Sequence, residues 1–458
     1  MRKSLLDQLP LVPGAIDHDH ARELEAMSKL LEQLTQAAGL VHEDLSWRGS
    51  KRVDPTKGRH GMAAEQVLRA AVLEQMKGFS YDQLAFHLAD SATYRAFCRF
   101  GFDRQPPKRA TRQKNLERVK PATWEAINRA LLRLAQQRGL EDGHKARTDS
   151  TVVESHILYP HDSTLLWDSV RVLARLMGRA QEKSGLGFVD HTRRAKRRMV
   201  NITHAKKRKA RTQLYRDLVK VTKKTVGQAE STITALAEVK PDSITQRARV
   251  EALRSELRHY VDLARRVISP TERRVFNDEK VPASEKLVSI FEEHTDVLIK
   301  DNRQTLYGHE LFLTTGASGL VTDAVVERGN PADSKWAVKM VQRQRDLYRR
   351  VPRQVSFDAG FASRSNLDDI KALGVEDVAF HKRSRIEVSD MVKSSWVYRE
   401  LCAFRAGIEG VISFLKRGFG LGRCLWRGFQ SFQAYVQASV LACNLLTAAR
   451  HGLAAKRG

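Results

Sequence analysis

Three acidic residues far apart in the chain, Asp149, Asp358 and Glu409, stand where carboxylates can do chemistry. Asp149 lies inside ARTDSTVVES, residues 146–155, whose threonines, valines and charged borders predict a strand. Asp358 closes the short run PRQVSFD, just ahead of Ala359-Gly360, where a turn leads into a helix. Ligands of α/β sheets gather outside the carboxyl ends of strands, so such an aspartate is well placed to meet one. Glu409 lies in the helical stretch CAFRAGIEGVISFLKRGFGLGR, residues 402–423. It sits at the edge of an apolar stripe of Phe404, Ile408, Val411, Ile412 and Leu415, one turn after Arg405. Hard divalent cations take carboxylate oxygens. Two such ions roughly 3.5–4 Å apart activate a water or hydroxyl and stabilise the leaving oxygen of a phosphodiester. Taken singly, the aspartates also read as turn or cap residues, and Glu409 as half of an i,i+4 pair with Arg405.

The charge of the chain names a substrate for that chemistry. Lys and Arg number 79 against 53 acids, a net charge of +26 over 458 residues, far more than solubility asks for. A polyanion is the expected partner. The run HTRRAKRRMVNITHAKKRKAR, residues 191–211, holds ten Lys/Arg and no acid. Arg193, Arg194, Arg197, Arg198, Lys206, Lys207 and Arg208 are therefore candidate phosphate contacts, giving affinity without reading sequence. Cys98, Cys402, Cys424 and Cys443 fall in no metal or redox spacing and read as reduced thiols of a cytosolic protein. The N-terminal MRKSLLDQLPLVPGA is interrupted by Asp7, Gln8 and two prolines and does not read as a secretory signal. FQSFQAYVQASVLACNLLTAA is the most apolar stretch, yet its three glutamines make it a buried helix of a globular protein, not a membrane span.

The elements that position the acids follow from the changes of period. GMAAEQVLRAAVLEQMKGFSYDQLAFHLADSATYRAF predicts two helices around Gly78, with Ser80 as N-cap, and resembles a helix-turn-helix; the basic RQPPKRATRQKNLERVK, residues 104–120, follows it. After the strand bearing Asp149 and a helix over 165–179 comes a long charged helical insert, read as an antiparallel hairpin. HELFLTTGASGLVTDAVVERGN predicts a β-hairpin, then PADSKWAVKMVQRQRDLYRR a helix, PRQVSFD a strand, SRSNLDDIKALG a helix and VEDVAF a strand. A hairpin followed by alternating strands and helices describes a mixed α/β sheet flanked by helices, an order that resembles the ribonuclease H-like fold.

In these blocks the chain resembles the DDE transposases of bacterial insertion sequences. TDSTVVES looks like the family's first-aspartate strand and FDAGFASRSNLDDIKALGV like its second-aspartate segment. LYGHELFLTTGASGLVTDAVVERGNPADS is similar to the hairpin between them, and residues 61–97 to the N-terminal helical domain. The family's C-terminal helix carries Tyr-x2-Arg-x3-Glu-x6-Lys; here Arg405, Glu409 and Lys416 keep the spacing, while the tyrosine position is Cys402. The resemblance implies that Asp149, Asp358 and Glu409 are the catalytic, metal-binding acids for two Mg²⁺ or Mn²⁺ ions, with Arg405 and Lys416 at phosphates. It implies a cytoplasmic, nucleoid-associated bacterial enzyme that cleaves and joins DNA at terminal inverted repeats and target, as a homodimer in a synaptic complex. The expected domains are an N-terminal helical or mobile segment (1–60), a helix-turn-helix-like domain (61–140), a ribonuclease H-like catalytic domain (141–180 and 296–450) and the basic helical insertion (181–295). Two alternatives stand beside it: an inactive relative kept as a DNA-binding protein, for which Cys402 speaks, and a structure-specific nuclease of the same fold.

Four other features have plain readings. DHDH at 17–20 suggests metal but lacks a second ligand cluster, and GFGLG at 418–422 follows a helix and reads as a helix stop. Glu154 is an edge charge or an auxiliary acid, and His309 and His381 are candidates for phosphate contact.

Overall fold

The computed structural model describes residues 3–5, 16–48, 51–54, 61–101, 105–240, 242–300, 304–381 and 385–455. The chain forms two compact units, Met1–His156 with His309–Gly458, and Ile157–Gly308.

The first unit opens with seven helices: α1 (Asp19–Gln33), α2 (Ala37–Leu45), α3 (Ala64–Lys77), α4 (Tyr81–Asp90), α5 (Ala92–Phe97), α6 (Arg109–Leu116) and α7 (Pro121–Gln137). The described part of residues 1–60 is largely helical, in α1 and α2. Leu24, Met27, Leu31 and Val41 of α1 and α2 are buried, and Asp44 accepts hydrogen bonds from the Lys120 amide (2.8 Å) and the Thr123 hydroxyl (2.6 Å). α3 ends at Gly78 in the left-handed region (φ 62°), and Ser80 caps α4, as read from the sequence. Yet α3 is buried almost all round, including Glu65, Arg69, Glu74 and Gln75, and so has no face to lay on DNA. Of this pair α4 is the outward-facing helix, with Phe86 well exposed. Of the basic segment 104–120, Arg104 lies outside the described residues and residues 109–116 form α6.

The sheet of this unit is built from β1 (Lys145–Ser155), β2 (Gln304–Gly316, in this unit from His309 on), β3 (Val321–Glu327), β4 (Gln354–Phe357), β5 (Asp377–Phe380) and a short β6 (Arg423–Cys424). Its order is β3-β2-β1-β4-β5, with β6 on the far end of β1. β2 and β3 are antiparallel, whereas β1, β4 and β5 run parallel. This is the mixed sheet of a ribonuclease H-like fold. Between its strands come α12 (Ala337–Tyr348) and α13 (Arg364–Ala372), then α14 (Val388–Met391) and α15 (Ser395–Gly418) between β5 and β6; α16 (Phe429–Ala454) follows β6. One face of the sheet, with Val153, Leu311 and Leu313, shares a core with α16 and the N-terminal helices. The other, with Phe312, Val355 and Phe357, packs on α12, α13 and the start of α15.

α16 also closes the outer edge of the sheet. The β2–β3 register skips Thr322, so that Thr314 faces Asp323 but Thr315 faces Val321. Asn444 accepts from the Val321 amide (2.8 Å) and donates to the Val321 carbonyl (2.7 Å) and to Asn128 of α7 (2.8 Å), while Gln437 donates to the Ala324 carbonyl (2.7 Å). Seven residues of helix advance about 10.5 Å and three of strand about 10 Å, so the two amides meet the two edge groups in step.

The second unit consists of α8 (Asp162–Ser184), α9 (Thr192–His204), α10 (Arg208–Glu238) and α11 (Ile244–Phe276), followed by a strand, Asp296–Lys300, that pairs antiparallel with Gln304–Gly308. Its core joins Leu166, Val170 and Leu173 of α8 to Leu218, Leu257 and Ala264 of the two long helices. The insertion is therefore a four-helix body with its own core. Its hairpin, α10 and α11, is as read, but α8, which the sequence reading gave to the catalytic domain, packs on α10 and α11. The apolar period fixed α8 as a helix and carried no information about which core it would enter.

Candidate active site

The three acids come together through backbone register and one helix. β1 and β4 pair in parallel with Thr148 opposite Phe357, so the next residues, Asp149 and Asp358, lie side by side at the same end of the sheet. Asp358 then starts a short 3-10 turn, Ala359–Phe361, in which the Phe361 amide donates back to the Asp358 carbonyl (3.1 Å). Phe361 anchors that turn, fully buried against Phe357 and Phe312. Gly360 lets the Asp333 side chain come close: a Cβ there would lie 2.5 Å from its carboxylate oxygen.

Glu409 arrives on α15. The helix is capped by Ser394, whose hydroxyl accepts from the Val397 amide (3.3 Å), and is held down by Val397, Leu401, Ile408 and Leu415. Arg147, on β1 two residues before Asp149, fixes its height. Its guanidinium donates to the Phe404 carbonyl (2.6 Å) and to the Thr315 hydroxyl (2.8 Å) and stacks on the Phe404 ring at 4.5 Å. Burial pushes this guanidinium below the ordinary arginine range, while the nearby Glu141 carboxylate opposes the shift. α15 passes so close that a Cβ on Gly407 would meet Arg147 at 2.1 Å. Sequence reasoning missed Arg147. Its one signal was a charge in an otherwise β-type run ahead of the aspartate.

The centre of the cluster is Arg405. One of its terminal nitrogens lies 2.8 Å from Asp149 and 3.3 Å from Asp358, and the other lies 3.1 Å from Glu409. Exposure rises outward: the side chains of Arg405 and Asp149 are 11% and 12% exposed, Asp358 39% and Glu409 65%. Three carboxylates around a single guanidinium leave a net negative, oxygen-rich pocket open on the Glu409 side. Such a hard donor set suits Mg²⁺ or Mn²⁺ in kind. Among the described residues, however, no group of three acidic, histidine or cysteine side chains is disposed to enclose an ion as it stands, because the guanidinium lies between the acids. The sequence reading gave Arg405 to DNA phosphates; in the structure it is bound to the acids themselves.

The remaining candidates sort clearly. Lys416 is on the last turn of α15, about 10 Å along the axis beyond Glu409, and half-buried. Cys402 is half-buried, and one turn before it the Tyr398 hydroxyl donates to the Phe380 carbonyl at the end of β5 (2.9 Å). Burial, and then the hydrogen bond with Cys402, push that phenol up to about 12. Glu154 pairs with Arg423 across β1 and β6 (3.2 Å), an edge role. His309 is fully buried between Phe429 and Phe432, which excludes a phosphate contact, and the amide of His381 continues the sheet by donating to the Phe357 carbonyl (3.0 Å). In DHDH, Asp17 and Asp19 pair with Arg22, and the His18 ring caps α1 by accepting from the His20 amide. GFGLG ends α15, with Gly420 at φ 72° and its carbonyl held by the Tyr435 hydroxyl (3.0 Å).

In the second unit the basic run is divided. Arg194 and Arg198 both grip Asp217 of α10, and Arg208 pairs with Asp278, so these three tie the unit together. Arg193, Arg197, Lys206 and Lys207 are exposed. The run is acid-free in sequence only; its acids come from later in the chain, Asp217 in α10 and Asp278 just after α11.

Two family models match the chain: the Transposase DDE domain over residues 292–445, and Transposase domain (DUF772) over residues 15–118. The first contains Asp358, Arg405 and Glu409; Asp149 lies in neither match, so the register of β1 on β4 is what brings it to the other two. No curated protein and no solved structure matches the chain. Among the described residues no helix is long and apolar enough to cross a membrane.

Proposed function

Since this chain belongs to the DDE transposases of insertion sequences, we propose that it binds the terminal repeats of its own element and carries out metal-dependent DNA strand cleavage and strand transfer. The observation that carries the reading is the convergence of Asp149, Asp358 and Glu409, from two strands and a helix, on one guanidinium. In this reading the three carboxylates hold Mg²⁺ or Mn²⁺, as a pair of ions. When bound, the metal supplies Lewis-acid activation of water or a DNA 3′ hydroxyl and neutralises charge on the phosphodiester.

The protein's own work is placement and charge. Parallel pairing fixes Asp149 beside Asp358, Phe361 holds the turn after Asp358, and Arg147 sets α15 so that Glu409 faces both. Lys416, further along the same helix, and the exposed Arg193, Arg197, Lys206 and Lys207 of the insertion are the proposed phosphate contacts; as cations near the surface they would supply salt-sensitive, sequence-independent affinity. The net charge of +26 suits a DNA-bound protein. Joining two element ends in one event calls for two copies of the chain, so a homodimer on paired ends, working at the bacterial nucleoid, completes the proposal. The N-terminal region, which matches a transposase domain of its own, is the proposed end-binding region.

The test is strand cleavage and joining on a labelled fragment bearing the repeats that flank the gene, with Mg²⁺ or with chelator, for the native chain and Asp358→Asn. Metal-dependent products that vanish in the variant while DNA binding persists are expected. DNA binding without products in either Mg²⁺ or Mn²⁺ would overturn the enzymatic part.

A further inference from the structure

We infer that Arg405 is an exchangeable internal cation: it holds the three carboxylates together in the free protein and is drawn off them by a DNA phosphate, so that DNA and divalent metal bind cooperatively. The inference rests on the reading of Asp149, Asp358 and Glu409 as the metal-holding acids.

Three carboxylates converging at one end of a sheet, one of them buried and one half-buried, repel one another, a costly arrangement unless a positive charge lies among them. Arg405 supplies that charge. It is the best suited side chain for it, since a planar fork reaches three acids at once from two nitrogens, as the contacts of 2.8, 3.3 and 3.1 Å record. The same contacts occupy one oxygen of each acid. A divalent ion approaching from solvent meets a like charge and a depleted set of lone pairs, so guanidinium and metal compete for the same oxygens.

The guanidinium is also incompletely satisfied where it lies. Its Nε is buried and has no hydrogen-bond partner. A buried donor left unmade is a standing cost of the resting arrangement and makes it easier to leave. The cluster is open on the side of Asp358 and Glu409, and a backbone phosphate arriving there offers a bidentate acceptor matched to arginine. Once Arg405 turns to the phosphate, the acids carry their full charge toward metal. By linkage, whatever factor DNA adds to metal affinity, metal adds to DNA affinity. The arrangement keeps the acids ordered but poorly loaded until a substrate backbone is in place.

The experiment measures Mn²⁺ binding to the full chain by electron paramagnetic resonance of the free ion, with and without a generic DNA duplex at low salt. It uses the native protein, Arg405→Gln, Arg405→Lys and Arg405→Gln combined with Asp149→Asn, each checked for native circular dichroism. DNA is expected to tighten Mn²⁺ binding to the native chain by roughly 5- to 150-fold, the usual range of coupling between two sites. Arg405→Gln is expected to bind Mn²⁺ tighter by a comparable factor without DNA and to lose most of the DNA effect. Arg405→Lys, which keeps the charge but not the fork, is expected to fall between. Equal or weaker Mn²⁺ binding in Arg405→Gln, or no DNA effect in the native chain, overturns the exchange. If the added Asp149→Asn leaves Mn²⁺ binding intact, the assignment of the carboxylates fails instead, which separates the two outcomes. The native titration stands even if a variant fails to fold.

Discussion

Replacing Asn444 by Leu should destabilise the first unit more than any surface change, and the structure says by how much. The side chain is fully buried and makes three hydrogen bonds, two to the backbone of Val321, itself fully buried, and one to Asn128. Leucine is close in size and fills the space, so the cost is almost wholly polar. The Val321 amide and carbonyl lie on the outer edge of the sheet, where β2 does not serve them, and lose their partners together. An orphaned buried group costs about 1–3 kcal/mol, so two groups plus the Asn128 amide come to about 3–9 kcal/mol. That is a large share of the ~5–15 kcal/mol by which a domain is stable. At about 2–4 °C per kcal/mol the unfolding midpoint should fall by roughly 6–36 °C. Gln437→Leu, which orphans only the Ala324 carbonyl, should cost about 1–3 kcal/mol. The assay is urea and thermal unfolding followed by near-ultraviolet circular dichroism. A loss below ~1 kcal/mol for Asn444→Leu would refute the claim that α16 is bonded to the sheet edge by its amides. A variant that also aggregates would expose the uncovered edge strand.

Further predictions follow from other groups. Glu74, buried beside Trp426, has its carboxyl pushed by burial up to about 8; folded Glu74 keeps its proton while the unfolded chain releases it, so stability should decline as pH rises from about 4.5 to about 8 and level off above. Glu74→Gln should flatten that decline and raise stability by a few kcal/mol at pH 8.5, read as melts across the pH range. Arg147→Met should loosen α15, costing about 2–4 kcal/mol in unfolding and lowering any cleavage rate more than DNA affinity, since two charge-assisted bonds and a ring contact go. Gly316→Ala should be strongly destabilising, because a Cβ there would lie 2.0 Å from Glu141, a buried carboxylate that accepts from the Gly143 amide and from the Ser318 amide and hydroxyl; equal melting of variant and native protein would contradict it. Chelator should stop DNA cleavage yet leave the melting curve unmoved, because Arg405 already holds the three acids together; a large drop on chelation would show metal to be structural.

The strands and helices that carry the acids were legible because each has a strong local signature: threonine and valine in β1, a hydrophobic run closed by Asp358 in β4, an apolar stripe behind a serine cap in α15. What brings them together is non-local. Thr148 opposite Phe357 is a register between segments some two hundred residues apart, and no periodicity contains it. Arg405 was visible as a spaced basic residue, but whether it faces phosphate or carboxylate depends on what lies across the gap. Polar residues misled most. Gln437 was read only as one of three glutamines marking a buried helix and Asn444 not at all, although both pair with the sheet edge, and Arg194, Arg198 and Arg208 looked free for phosphate until Asp217 of α10 and Asp278, just after α11, arrived. Burial of α3 on all sides came from neighbours that its own pattern does not announce.

The way the insertion begins and ends bears on how the chain folds at all. β1 and β2 are neighbours in the sheet, yet the whole second unit is strung between them. As an unstructured loop it would make their meeting slow, since the ends of so long a segment rarely find each other and distant pairing is what delays sheets. The second unit has its own core, and its two ends touch: Tyr159, just after β1, and Tyr307, in the first part of β2, cross edge to face at 5.6 Å. An insertion that folds first therefore turns a long detour into a tight connection. On that order of events β1 and β2 meet across a short closed connection instead of a long open loop.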